Sequence, residues 1–304
     1  MNYPQIPTAS LLKKLEPPKG RVRMVLDTDT YNEVDDQFAL AYAIKSSEKI
    51  DLEAIYAAPF HNHRSSGPAE GMELSFQEIH KVLEALGCAG QYPVFKGSTK
   101  FLRSAEELEE SEAVKDLIDR ALKSDEDDPL YVVAIGAATN IANAILLEPR
   151  IIEKIVLVWL GGHAFHWPDS FEFNMRQDVF SARVLFDCGV PLIHIPCRGV
   201  TTHLLTTLPE LEAYLGGKSA IGDYLIEIAR GYTDDHFGWS KVIWDVAAIA
   251  WLLDGSWVPT NIIASPIVTD QVTWSFDPTR HLIRSARFVD RDKIFADLFR
   301  KLVD

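Results

Sequence analysis

Residues 21–36, RVRMVLDTDTYNEVDD, run from an apolar β-like segment straight into a stretch crowded with acids. Residues 21–27 (RVRMVLD) predict a strand, and residues 36–44 (DQFALAYAI) are apolar nearly all round, the pattern of a buried helix. Between them Asp27, Asp29, Glu33, Asp35 and Asp36 fall within ten residues. A strand, an acidic turn and a buried helix make a βα unit. In open parallel sheets, ligands bind beyond the carboxyl ends of the strands, which is where this turn falls.

The same alternation continues outward. β-rich runs occur at 52–58 (LEAIYAA), 130–135 (LYVVAI), 155–160 (IVLVWL) and 191–195 (PLIHI), each short enough for a buried parallel strand. Phe76, Ile79, Leu83 and Leu86 recur at helical spacing. After Thr206 the chain reads as helical to about Leu253, then as β-like at 261–268 and 281–288, with a closing helix from Arg291. Strands alternating with helices predict an α/β fold, an open, mostly parallel (mixed) sheet flanked by helices. The acidic runs at 104–112 (SAEELEESE) and 124–128 (SDEDD) read as solvated helix faces and loops. Residues 1–20, with four prolines, read as an N-terminal arm, and residues 21–304 as one domain.

With 30 Lys+Arg against 44 Asp+Glu, the net charge is −14. That balance disfavours nucleic acid and anionic membrane as partners. No run reaches about 18 consecutive apolar residues, so no membrane span is expected. The N-terminus shows neither the apolar segment nor the cleavage site of a secretory signal. Cys88, Cys188 and Cys197 form no CxxC pair, which suits reduced thiols in the cytoplasm.

Several carboxylates at close quarters repel one another, whereas a hard divalent cation such as Ca²⁺ collects six to eight oxygens. The plain alternative is helix capping by Asp35 or Asp36, but a cap needs one acid. An EF-hand loop needs glycine at its sixth position and flanking helices; Asn32 stands sixth from Asp27 and a strand precedes it. The DxDx[TV] pattern of haloacid-dehalogenase-type phosphatases is matched by Asp27 and Asp29, but Tyr31 stands where Thr or Val belongs.

Four motifs in order carry a resemblance. They are Asp27-Thr28-Asp29 with Asp35-Asp36, Gly136-Ala137-Ala138-Thr139-Asn140, Glu172-Phe173-Asn174, and Asp245 within Ile243-Trp244-Asp245-Val246-Ala247. Together they resemble the inosine–uridine type nucleoside hydrolases over roughly residues 21–304. The resemblance implies a Rossmann-like nucleoside hydrolase fold, a Ca²⁺ cofactor, a small ribonucleoside (ribosyl) substrate and a homodimer or homotetramer. It implies that Asp29 binds the metal and is general base toward its water. It implies metal ligation by Asp36, the Ile135 carbonyl and Asp245, and sugar contacts from Asp35, Asn62, Glu172 and Asn174. His61, beside Asn62, is an alternative there.

Such a site suits cleavage through an oxocarbenium-like cation, because carboxylates facing the ring stabilise the developing charge. Plainer readings accompany each motif: a loop acid and turn former at Glu172 and Asn174, a helix-start hydrogen bond at Asn140, and an N-cap at Asp245.

The sequence departs from the family's pattern in four places. The turn at 30–34 is two residues longer. Trp244 stands where purine-active members often carry a histidine, and tryptophan offers stacking but no acid. The family's HGxxG-like loop has no clear match near 95–100. Arg198 stands where an acid is common. Contact with the leaving base is therefore expected from His163, His166, His236, Trp239 or Trp244, with His236 the leading candidate for its acid. A relative that binds ribosyl compounds, or hydrolyses a non-nucleoside one, is the alternative. All of this requires that the acids near positions 30 and 245 meet, with no lysine filling the space between them.

Overall fold

The computed structural model describes residues 3–304. Eight strands form one sheet in the order β3-β2-β1-β4-β5-β6-β12-β9. They are β1 (Val22–Thr28), β2 (Ile50–Ala57), β3 (Val94–Lys96), β4 (Leu130–Ala134), β5 (Ile155–Leu160), β6 (Leu192–Ile195), β9 (Thr260–Ala264) and β12 (Leu282–Ala286). All neighbours are parallel except the edge pair β12–β9. Two ribbons stand apart: β7 (Leu205–Thr206) with β8 (Lys241–Val242), and β10 (Ile267–Val268) with β11 (Trp274–Ser275).

The strands are buried on both faces, so their side chains divide by parity. Met24 and Leu26 of β1, with Val156, Val158 and Leu160 of β5, face one apolar core. That core is shared with α2 (Asp35–Ile44), α3 (Pro68–Ala85), α8 (Leu208–Leu215), α9 (Ala220–Arg230), α10 (Val246–Leu253) and α11 (Arg291–Val303). Val25, Leu157 and Trp159 face the other, packed by α4 (Glu112–Leu122), α5 (Thr139–Leu147) and α7 (Val179–Asp187). The short α6 (Phe173–Gln177) follows the β5 loop.

Four features differ from the sequence reading. The N-terminal segment carries a helix, α1 (Thr8–Lys14), that buries Leu11 and, just beyond it, Leu15. The acidic stretch before residue 128 contains α4, whose Ala113, Val114, Leu117 and Ala121 repeat at helical spacing and are buried. A short β3 extends the sheet beyond β2, and α2 starts at Asp35 rather than Asp36. Among the described residues, no helix is long and apolar enough to cross a membrane.

Candidate active site

A cavity of about 340 Å³ opens at the carboxyl ends of β1, β4, β5 and β6; its wall includes Asp35, Asp36, Ile135, Glu172, Asn174, Trp244 and Asp245. Residues far apart in sequence therefore meet there. Asp35, Asp36 and Asp245 each bring a carboxylate oxygen within 4.8 Å of the others, and all three are buried. Neither Asp35 nor Asp36 caps its helix, since the N-cap position of α2 is Val34 with no side-chain bond. Asp245 precedes α10 without making a cap bond either. The helix starts place these acids, and their side chains turn toward one another instead.

Asp36 Oδ1 accepts Thr28 Oγ1 at 2.5 Å and the Asp29 backbone N–H at 3.2 Å. Asp29 lies behind the cavity wall, wholly buried, and neither of its carboxylate oxygens has a hydrogen-bond partner among the described residues. A Cβ added at Gly136 would stand 3.1 Å from Asp29 Cγ, so this glycine leaves the room the carboxylate occupies. Asp27 points elsewhere: Asn140 donates to it at 2.7 Å and accepts the Ser98 N–H at 2.7 Å. Asn140 thus ties three segments together beneath the site.

The electrostatics follow from burial. Burial, then the neighbouring carboxylates, push Asp29 and Asp245 well above the usual carboxylate range. Asp36 is pushed up to about 7 by burial and by Asp35. Asp27 reaches about 7 by burial, against the Asn140 hydrogen bond. Asp35 is raised by burial while Lys241 opposes the shift. Buried carboxylates with unpaired oxygens need a cation or protons. An all-oxygen set of this kind fits a hard divalent cation.

A lysine does enter this neighbourhood. Lys241 of β8 pairs with Glu33 and stands 3.6 Å from Asp35 Oδ1. It is absent from the cavity wall, and Asp35, Asp36 and Asp245 still converge. Glu33, counted with the acidic turn on sequence grounds, lines the cavity too but pairs with Lys241. Nothing local in the sequence signals this pair, whose members are 208 residues apart.

Glu172 caps α6: it accepts the N–H groups of Gly162 (2.8 Å), Asn174 (2.9 Å) and Met175 (3.0 Å). Gly162 turns this loop at φ 69°, a conformation glycine adopts without strain. The Asn174 amide donates to the carbonyls of Ile135 (2.8 Å) and Leu160 (3.1 Å), which leaves its Oδ1 as an acceptor. The Ile135 carbonyl keeps a second lone pair. Cys197 also lines the cavity; burial and nearby carboxylates push its thiol well above the ordinary range, so it carries no thiolate.

The histidines separate clearly. His163 lines the cavity, 4% exposed, and its Nδ1 accepts the Arg198 backbone N–H at 3.3 Å. His236 does not line it; its Nε2 faces the Arg230 carbonyl at 3.1 Å. His166 is exposed and Asn62 half-buried, both outside the wall. Asn62 instead donates to the side chain of Asn32, which does line the cavity.

Comparison with known proteins bears on the fold and the family. A plant nucleoside hydrolase superposes with a TM-score of 0.74 at 20% identity, over 93% of this chain and 99% of that one. A purine-preferring ribonucleoside hydrolase from Gardnerella vaginalis gives 0.73 at 22% identity, over 92% and 98%. These likenesses show the fold. The pyrimidine-specific ribonucleoside hydrolase RihB of Escherichia coli O1:K1 is 38% identical over 104 residues, which is 33% of this chain and 31% of that relative. The matched segment thus spans under a third of that curated relative's length. Residues 24–295 match the family described as inosine-uridine preferring nucleoside hydrolase, and that extent, nearly the whole chain, shows that the protein belongs to this family.

Proposed function

We propose that this protein hydrolyses the N-glycosidic bond of ribonucleosides, releasing ribose and a free base, with a calcium ion at its acidic centre. The observation that carries this reading is the convergence of Asp35, Asp36 and Asp245 beside the unpaired carboxylate of Asp29. Asp29, Asp36, Asp245 and the free lone pair of the Ile135 carbonyl would hold the ion. When bound, it polarises a water and templates the ribose diol. Asp29, with both oxygens free of donors, takes the proton from the attacking water. Asp35, Glu172 and the Asn174 Oδ1 accept hydrogen bonds from sugar hydroxyls. The ring of carboxylates stabilises the positive charge that develops on the sugar as the bond opens.

The base side falls to His163 and Trp244, which line the cavity, and not to His236 in this arrangement. Because His163 Nδ1 accepts a backbone N–H, the neutral ring carries its proton on Nε2. Burial and then Arg198 hold its pKa below the ordinary value, keeping it neutral. It therefore offers the departing base a hydrogen bond, while Trp244 offers a stacking face.

The three buried, unpaired cysteines suit a reducing, cytoplasmic setting. A homodimer or homotetramer is the expected assembly, which light scattering would read directly.

The absence of a histidine at position 244 favours one second reading, a site that binds ribosyl compounds or hydrolyses a non-nucleoside one. A reducing-sugar assay over a nucleoside panel, with and without chelator, separates the two. Nucleosides are expected to be cleaved only with calcium present, and Asp29→Ala to abolish turnover. Equal activity of wild type and Asp29→Ala would overturn the assignment of the base.

A further inference from the structure

Two arginines share the cavity wall with the acids: Arg176 on α6 and Arg198 just after β6. The Arg176 guanidinium lies 5.3 Å from the ring centre of Phe173 and 5.8 Å from that of Phe171, so aromatic faces hold it in place. Arg198 is pinned through its main chain. Its N–H donates to His163 and its carbonyl accepts the Ala164 N–H at 2.9 Å.

Neither guanidinium has a carboxylate within ion-pair distance among the described residues; nine other arginines do, and the four that also lack one, Arg64, Arg103, Arg287 and Arg300, do not line this cavity. Both are exposed at the opening of a cavity whose inner wall carries buried carboxylates. The cavity is therefore polarised. Its acids suit a cation and a diol. Its arginines present planar donors that match a carboxylate or a phosphate in two-point contact. A neutral nucleoside would leave both guanidiniums facing only water.

We propose that Arg176 and Arg198 form an anion-accepting end of the cavity, and that the preferred substrate is a ribosyl compound bearing an anionic group. The group is a phosphate on the sugar or a carboxylate on the base. This rests on the ribosyl-hydrolase reading above and narrows its substrate class.

The test uses the full chain with calcium. Hydrolysis of uridine, uridine 5′-monophosphate and orotidine is compared for wild type, Arg176→Gln, Arg198→Gln and Arg198→Lys. Calorimetry in parallel compares ribose with ribose 5-phosphate, and uracil with orotate. At least one anionic compound should exceed uridine in kcat/KM by about tenfold, as charge-assisted two-point contacts allow. Each arginine-to-glutamine change should collapse that ratio, and Arg198→Lys should restore it only in part, since lysine lacks the planar fork. An advantage for the 5′-monophosphate and ribose 5-phosphate places the anion on the sugar. An advantage for orotidine and orotate places it on the base.

If uridine is cleaved as well as both anionic compounds and the arginine variants leave the ratio unmoved, the inference fails while the hydrolase reading stands. If nothing is cleaved here or in the nucleoside panel, the hydrolase reading fails and calorimetry still decides the inference. Ribose 5-phosphate and orotate binding no tighter than ribose and uracil would overturn it.

Discussion

Lys241 Nζ stands 3.6 Å from Asp35 Oδ1 and pairs on its other side with Glu33. The lysine is 8% exposed and its partner Asp35 7%. A cation so placed opposes the upward push that burial gives the Asp35 carboxyl, and anchors the long acidic turn to β8. Lys241→Met should therefore raise KM for ribosyl substrates more than it lowers kcat. Breaking a buried pair by removing one partner costs about 3–5 kcal/mol, but Glu33 is 36% exposed and water screens it. We expect a loss of roughly 2 kcal/mol in chemical denaturation, short of the fully buried range. Unchanged KM with unchanged stability would show that the pair positions nothing.

The two rival histidines give opposite expectations. His163→Ala should lower kcat by about 100-fold, the scale of a lost hydrogen-bond donor to charge developing in the transition state, while ribose binding by calorimetry stays near wild type. His236→Ala should change kcat by less than about threefold, as for a residue outside the reacting centre. The reverse pattern would return the leaving-group role to His236 and require the loop around it to close over the cavity.

Removing single carboxylates tests the cation site directly. Asp36→Asn and Asp245→Asn should each weaken calcium binding by more than the 10–100-fold typical of groups that only support a metal ligand. Calorimetric affinities within about threefold of wild type for both would remove these residues from the site.

Stability should depend on pH in a way that calcium cancels. Burial raises Asp27 and Asp36 to about 7, above the ordinary value of 3.8. The folded chain then holds more protons than the unfolded one between those values, so without metal, stability falls as pH rises through about 7. His194 and His281 work the other way: burial lowers both from 6.5 to about 4, so their contribution is lost as pH falls below the ordinary value. Above about pH 6.5 the acids dominate, and the chelated protein should melt lower at about pH 8.5 than at about pH 6.5. Saturating calcium should flatten or reverse that slope. A chelated protein that melts higher at the alkaline end would contradict the protonation states assigned to these acids.

The order of strands and helices was largely legible in the sequence, because strands buried on both faces leave continuous apolar runs. So was the βα unit at 21–44, and with it the end of the sheet where the acid-lined cavity opens. The elements that escaped were those with weak local signals. β3 is three residues long and only half-buried. α4 sits in an acid-rich stretch whose charge masks its apolar stripe, Ala113, Val114, Leu117 and Ala121.

The acids were visible one by one, but their grouping was not. Glu33 and Asp35 are near neighbours in the turn, yet Lys241, far along the chain, pairs with the first and stands beside the second while Asp35 still converges with Asp36 and Asp245. His163 and His236 are alike as letters. The Arg198 backbone and the Arg230 carbonyl fix one at the cavity and the other away from it.

By itself the chain of residues determined most strands and helices and the motifs at the sheet's carboxyl edge, because local periodicity and helix starts are written in neighbouring side chains. Only the tertiary structure decided which acids share a site, which are neutralised, and which histidine and arginines face the cavity. Those choices depend on long-range contacts and on burial, and burial sets the energy of every charge involved.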